Sequence, residues 1–138
     1  MAIGGLNLAA YPIVYGILGG DAHNGHRHVE RAQTGEIVST YFIRGHHLRS
    51  LAGREREVSR TVWVLSYAHS ISLLLTSGAM VLAMLSFASP HILATMRGPR
   101  VRGQIFVGGL AVVVAVLSVG VAAFMIWDMT VQLMATPK

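Results

Sequence analysis

The sequence contains no cysteine, a single lysine (Lys138) and only six acidic residues, and from Thr61 to Met96 it runs for 36 residues without one Asp, Glu, Lys or Arg. The first absence excludes disulfides, thiolate nucleophiles and cysteine-held zinc or iron-sulfur clusters. Charged residues make up 12% of the chain and hydrophobic residues 53%, whereas an average soluble domain is roughly a quarter charged. That balance points to a membrane protein. At 138 residues there is room for one domain, and none for a large soluble domain beside the apolar segments. The G-x-S-x-G, H-E-x-x-H, P-loop and dinucleotide fingerprints are also missing, so no stand-alone enzyme is expected.

What is present is arginine. Ten of the eleven basic residues are Arg, and the formal net charge is +5. These arginines flank apolar segments and do not form a free basic helix, so the partner they imply is the anionic head group of a membrane lipid and not nucleic acid.

Three zones follow one another. Residues 1–20 are apolar and broken by Pro12, Gly16, Gly19 and Gly20. They lack the basic start of a signal peptide. The unbroken apolar piece, Leu8 to Leu18, is about half the roughly 20 residues that a bilayer crossing requires. This segment is therefore expected to lie on the membrane or pack against a partner. Residues 21–60 hold five of the seven histidines, seven of the ten arginines and five of the six acids. Ile37, Tyr41, Leu48 and Leu51 recur at helical spacing, with Arg44, Arg49, Arg54, Arg56 and Arg60 on other faces, which predicts an interfacial amphipathic helix from about Gly35.

Residues 61–138 are lipid-compatible. The pattern predicts helices at about 59–87 and 103–133, the first ended by Ser89-Pro90 because proline cannot donate to the helical ladder. The expected fold is thus an all-α integral membrane protein, with an N-terminal arm (1–58) followed by a two-helix transmembrane hairpin (59–138). The linker arginines Arg97, Arg100 and Arg102 form a basic tip suited to phospholipid phosphates. Seven arginines precede the first span and three follow it, which predicts cytoplasmic termini.

Small residues recur along both helices: Gly108, Ala111, Ala115, Ser118 and Ala122 on the second, and His69, Ser72, Thr76, Ala79 and Ala83 on the first. In lipid such faces drive association by close packing. Folding the hairpin at Phe87 pairs Ala83 with Gly108, Thr76 with Ala115 and Ser72 with Ser118, and sets His69 near Ala122. It also brings Trp63 and Trp127 to one depth as interface anchors, with Arg60 and Asp128 beside them.

Two histidine groups are candidate ligands. His69 reads as a structural histidine in the helix seam or as an axial ligand of haem or chlorophyll; the second helix has no histidine, so a second axial histidine would come from another chain. In DAHNGHRHVE, His23, His26 and His28 between Asp21 and Glu30 could hold zinc, copper or nickel, with His46 and His47 further on. The functional expectation is a non-catalytic small membrane subunit packing against other subunits or copies of itself, in a respiratory or photosynthetic complex, with bound phospholipid and no obligatory cofactor. A second reading comes from residues 59–138, whose hairpin and basic tip are similar in plan to conjugation-type pilins: a subunit of a lipid-containing filament, or a virion membrane protein.

Overall fold

The computed structural model describes residues 1–47, 51–96 and 102–136. In chain order these form α1 (Ala2–Leu18), β1 (Asp21–Arg31), β2 (Ile37–Arg44), β3 (Glu55–Val58), α2 (Arg60–Thr95) and α3 (Gly103–Met134). Helices α2 and α3 are each long and apolar enough to cross a membrane. The strands make one antiparallel sheet in the order β1-β2-β3, which caps one end of the helices.

The chain is therefore not all-α. Where an interfacial helix was expected, Ile37–Arg44 is a strand, paired with β1 from Arg31↔Ile37 to Asp21↔Arg44 and with β3 from Tyr41↔Val58 to Arg44↔Glu55. The run IVSTYFI is made of β-branched and aromatic residues apart from one serine, which suit a pleated surface. Its buried members are Tyr41 and Ile43, two residues apart. Ile37 and Tyr41 satisfy a period of two as well as a helical one, and Leu48 lies outside the described residues. Gly35, read as a helix start, instead sits at φ +82° in the β1–β2 turn, where Gly35 N–H donates to the Ala32 carbonyl at 2.8 Å.

Two further corrections concern the helices. Residues 2–18 form a full helix that packs on α2: Asn7 donates to Ser72 Oγ (3.2 Å) and Thr76 Oγ1 (2.9 Å). A Cβ on Gly4 would lie 3.1 Å from the Thr76 carbonyl oxygen. The polar stripe on α2 thus faces α1 and not α3. Second, α2 does not stop before Pro90 but runs to Thr95. Proline leaves the carbonyl four residues back without its donor. The Ser89 hydroxyl supplies that bond to the Ser86 carbonyl at 2.9 Å.

The longer α2 moves the hairpin register. Gly103 packs against Ile92 and Leu93, and Ser118 against Gly78, six residues from the expected Ser72. Near the sheet, the Tyr67 hydroxyl donates to Asp128 Oδ2. Gly78 is required by proximity: a Cβ there would collide with the Ser118 hydroxyl and lie 2.7 Å from its Cβ. Beneath the sheet, Tyr41 and Ile43 cover Trp63 and Tyr67, with Ala22, Ile71, Ala122 and Met125 completing the core. Trp63 and Ile43 are wholly buried.

Arg27 joins the sheet to the far end of the chain. Its Nη1 donates to the carbonyls of Gln132 and Leu133 at 2.8 Å and of Ala135 at 3.2 Å, while Nη2 donates to Ser39 Oγ at 2.8 Å. The guanidinium also lies 5.7 Å from the Tyr41 ring centroid. A cation on the unpaired carbonyls of a helix C-terminus is favoured by both hydrogen bonding and the helix dipole.

Two outcomes follow from these contacts. Gly78→Leu should destabilise the detergent-solubilised protein by about 1–3 kcal/mol in thermal melting, and Gly78→Ala should be partly rescued by Ser118→Gly, which removes the colliding side chain. Arg27→Ala should cost about 1.5–3 kcal/mol and speed hydrogen exchange in the last turn of α3 while sparing the Gly103 end.

Candidate functional site

After α1 the chain turns at Gly19 and Gly20 and enters β1 at Asp21, which is 3% exposed. A carboxylate so far from water is tolerated only when its oxygens are hydrogen-bonded. The Tyr11 hydroxyl donates to Oδ2 at 2.6 Å, and Asn24 donates to Oδ1 through its backbone N–H (3.2 Å) and its side-chain amide (2.8 Å). Asn24 reaches back because the β1–β2 ladder is irregular between Asp21 and His26; such a bulge takes residues out of strand alternation and re-aims them.

Across the ladder, β2 ends at Arg44, the partner of Asp21. The loop that leaves it carries His46 and His47, whose backbone N–H groups both donate to the Tyr15 hydroxyl, the second at 2.8 Å. The buried Tyr15 ring lies 5.8 and 5.3 Å from the two imidazoles. Two tyrosines one turn apart on α1 therefore hold the two halves of the site, Tyr11 the carboxylate and Tyr15 the histidine loop. The imidazole centroids are 3.6 Å apart, and His46 Nε2 is 3.3 Å from Asn24 Nδ2. One ligand atom each from Asp21, His46 and His47 falls within 4.8 Å of the others, a grouping found nowhere else among the described residues. All three line a cavity of about 350 Å³ that continues past His23 and Ser70 to Met125.

Two groups at the site, Tyr11 and His46, depart from their ordinary pKa. Burial first, then the hydrogen bond to Asp21 and its negative charge, raises the pKa of Tyr11 well above that of a free phenol, so Tyr11 remains the donor. Desolvation is the largest influence on His46 and lowers its pKa; the neighbouring His47 and His23 push the same way, while Asp21 opposes them. Near neutral pH the His46 imidazole is uncharged and keeps a nitrogen lone pair. Two imidazoles and one carboxylate make a donor set suited to borderline divalent metals.

The residues flagged by sequence are distributed differently. His69 sits edge-on to the Tyr11 ring at 5.8 Å, beside Val14, Leu18 and Val62, so it looks toward α1. His23 lines the cavity. His26 stacks on Phe42 at 5.0 Å, and His28 lies 2.7 Å from Glu30, so the structure does not gather His23, His26 and His28 together. Thr76 and Ala79 line a groove against α1. Ala83, Ala111, Ala115 and Ser118 are half-buried, Ala122 is buried and Gly108 is exposed with nothing within 4 Å of a Cβ position. Trp63 is buried in the core while Trp127 is 68% exposed. Asp128 accepts from Tyr67 and from Gln132 Nε2 (2.8 Å), and Arg60 is exposed at the start of α2. Arg102 is the exposed N-cap of α3; Arg97 and Arg100 lie outside the described residues.

Asp21, His46 and His47 are all visible in the sequence, but Tyr11, Tyr15 and Asn24 carried no signal. The turn sequence around Gly35 would have predicted a hairpin, and its regular register sets residue 21 opposite residue 47; the irregularity between Asp21 and His26 moves the partner of Asp21 to Arg44. Comparison of the chain with protein-family models, curated proteins and solved structures finds no match.

Tyr15→Phe removes the acceptor of two backbone N–H groups at a cost of about 1 kcal/mol for each. The amides of His46 and His47 should exchange faster by hydrogen-exchange mass spectrometry, with those of Tyr41 and Ile43 unchanged.

Proposed function

We propose that this chain is a non-catalytic integral membrane subunit with two spans, α2 and α3, and cytoplasmic termini, which packs into a larger membrane assembly through the outer face of α3. The observation that carries this reading is a stripe that none of the described residues covers. Gly109, Val113, Val116, Gly120, Ala123 and Trp127 are all exposed, at spacings of four and three residues. A Cβ built on Gly109 or Gly120 meets nothing within 4 Å. Lipid tails cover apolar surface without needing glycine; glycine on an outer helix face is useful where another backbone comes close, since packing and not hydrophobic exclusion drives association in a bilayer. The sheet and α1 pack against α2 far more than α3, which leaves α3 open. The arginines at the hairpin tip, Arg102 among those described, would then meet lipid phosphates on the opposite side from the sheet.

Extraction of native membranes into lipid nanodiscs tests the reading. The wild-type chain should co-purify with other membrane subunits in a defined particle, and Gly109→Leu with Gly120→Leu should release it as a folded monomer of unchanged melting temperature. Uniform filaments of this chain alone would favour the filament reading instead, and a wild-type protein that is monomeric in native membranes would sink the proposal.

A further inference from the structure

The cluster at the joint of α1, β1 and the β2–β3 loop has no part in the docking of α3, and its chemistry calls for its own explanation. We propose that Asp21, His46 and His47 bind one divalent transition-metal ion of the zinc or copper class, with a fourth coordination position that opens into the cavity between the sheet and the helices.

Geometry is the first support. The three ligand atoms lie within 4.8 Å of one another. Zinc bonds to nitrogen and oxygen are about 2.0–2.2 Å long and tetrahedral, so two ligands of one ion stand roughly 3.4 Å apart. Closure around an ion requires the ligand atoms to approach by up to about 1.4 Å, which rotation of the two imidazoles and the carboxylate would supply.

Pre-organisation is the second. Metal-binding carboxylates and imidazoles are held by outer hydrogen bonds that set their orientation. Here the carboxylate is fixed by Tyr11 and by both donors of Asn24. Among the described residues Oδ2 accepts one hydrogen bond, so a lone pair remains on it. The histidine loop is fixed through its backbone by Tyr15, and the Asn24 side-chain amide, 3.3 Å from His46 Nε2, orients the first imidazole. A buried acid facing two adjacent histidines is hard to explain as packing alone: Asp21 is satisfied by Tyr11 and Asn24, and the imidazoles add no bond to it.

The donor set discriminates among ions. Calcium and magnesium take oxygen ligands and bind poorly to imidazole, whereas zinc and copper favour it. Three protein ligands with an open fourth position are the arrangement of sites that admit an outside molecule, since closed structural sites use four. The open side here faces the cavity, whose walls include Leu73, Leu74, Val121 and Met125 beside Ser70 and Ser77. An ion at this place would present its free position to a small, largely apolar molecule or to water.

The test uses the full chain without a histidine tag, in nanodiscs, stripped with chelator and then titrated with Cu(II) or Zn(II). Calorimetry should give one ion per chain, and the Cu(II) electron paramagnetic resonance spectrum should show coupling to two nitrogens. His46→Ala and His47→Ala should each weaken binding at least 10-fold with an unchanged circular dichroism spectrum, and Tyr11→Phe should weaken it by roughly 10-fold or more through the outer shell. His26→Ala and His28→Ala should leave affinity unchanged. Absence of stoichiometric binding to the folded protein, or binding that survives loss of both His46 and His47, would overturn the proposal. The subunit reading stands or falls separately, by the co-purification of the chain.

Discussion

A carboxylate removed from water organises one end of this molecule. Asp21 stands between the first helix and the first strand, and a charge in that position demands donors from whatever surrounds it. Tyr11 comes from α1 and Asn24 from the bulge in β1, so satisfying one side chain fixes the angle between helix and strand. The next residue extends the constraint: Ala22 N–H donates to the buried Ser66 hydroxyl at 3.1 Å, which ties β1 to α2. With β1 placed, antiparallel pairing brings Tyr41 and Ile43 over Trp63 and Tyr67. The core under the sheet therefore follows from where one acid is allowed to sit.

Helix α2 divides its surface between two neighbours by different physics. Toward α1 it offers hydroxyls: Ser72 and Thr76 meet Asn7, and polar bonds compensate for modest burial. Toward α3 it offers absence, since Gly78 lets Ser118 approach where any side chain would collide. Both faces use small residues, but only the second requires glycine. On the proposed topology the hydroxyl face lies in the sheet-side part of the bilayer, where the Asn7 side-chain amide would be costly without these two hydroxyl partners.

The two apolar helices were legible because nothing competes with a run of 36 residues that lacks ionic charge. Residues 21–58 were not, since apolar residues there are few and Ile37 and Tyr41 fit two periods equally. Pro90 misled for a local reason: a rule about the missing N–H cannot see that Ser89 replaces the donor. The small, polar stripe containing His69 was real as a pattern, yet sequence does not say which neighbour uses it, and a helix at residues 2–18 was the missing neighbour. The site had the same difficulty. Asp21 and His46-His47 stand far apart in the chain, and only the turn at Gly35 closes that distance. The tyrosines that hold the site sit in a segment whose apolar composition drew attention to membrane contact and away from their hydroxyls.

The Arg27 clamp bears on the order in which the protein is made. Its guanidinium belongs to β1, near the beginning of the chain, yet its acceptors are carbonyls of Gln132, Leu133 and Ala135, the first of them 105 residues later. The strand leaves the ribosome long before those carbonyls exist. Until α3 is complete and its end has returned to the sheet, the arginine has only Ser39 and the Tyr41 ring for company. The sheet can pair early from residues 21–58 alone, but its clamp on α3 can form only once both long helices have been delivered to the same place.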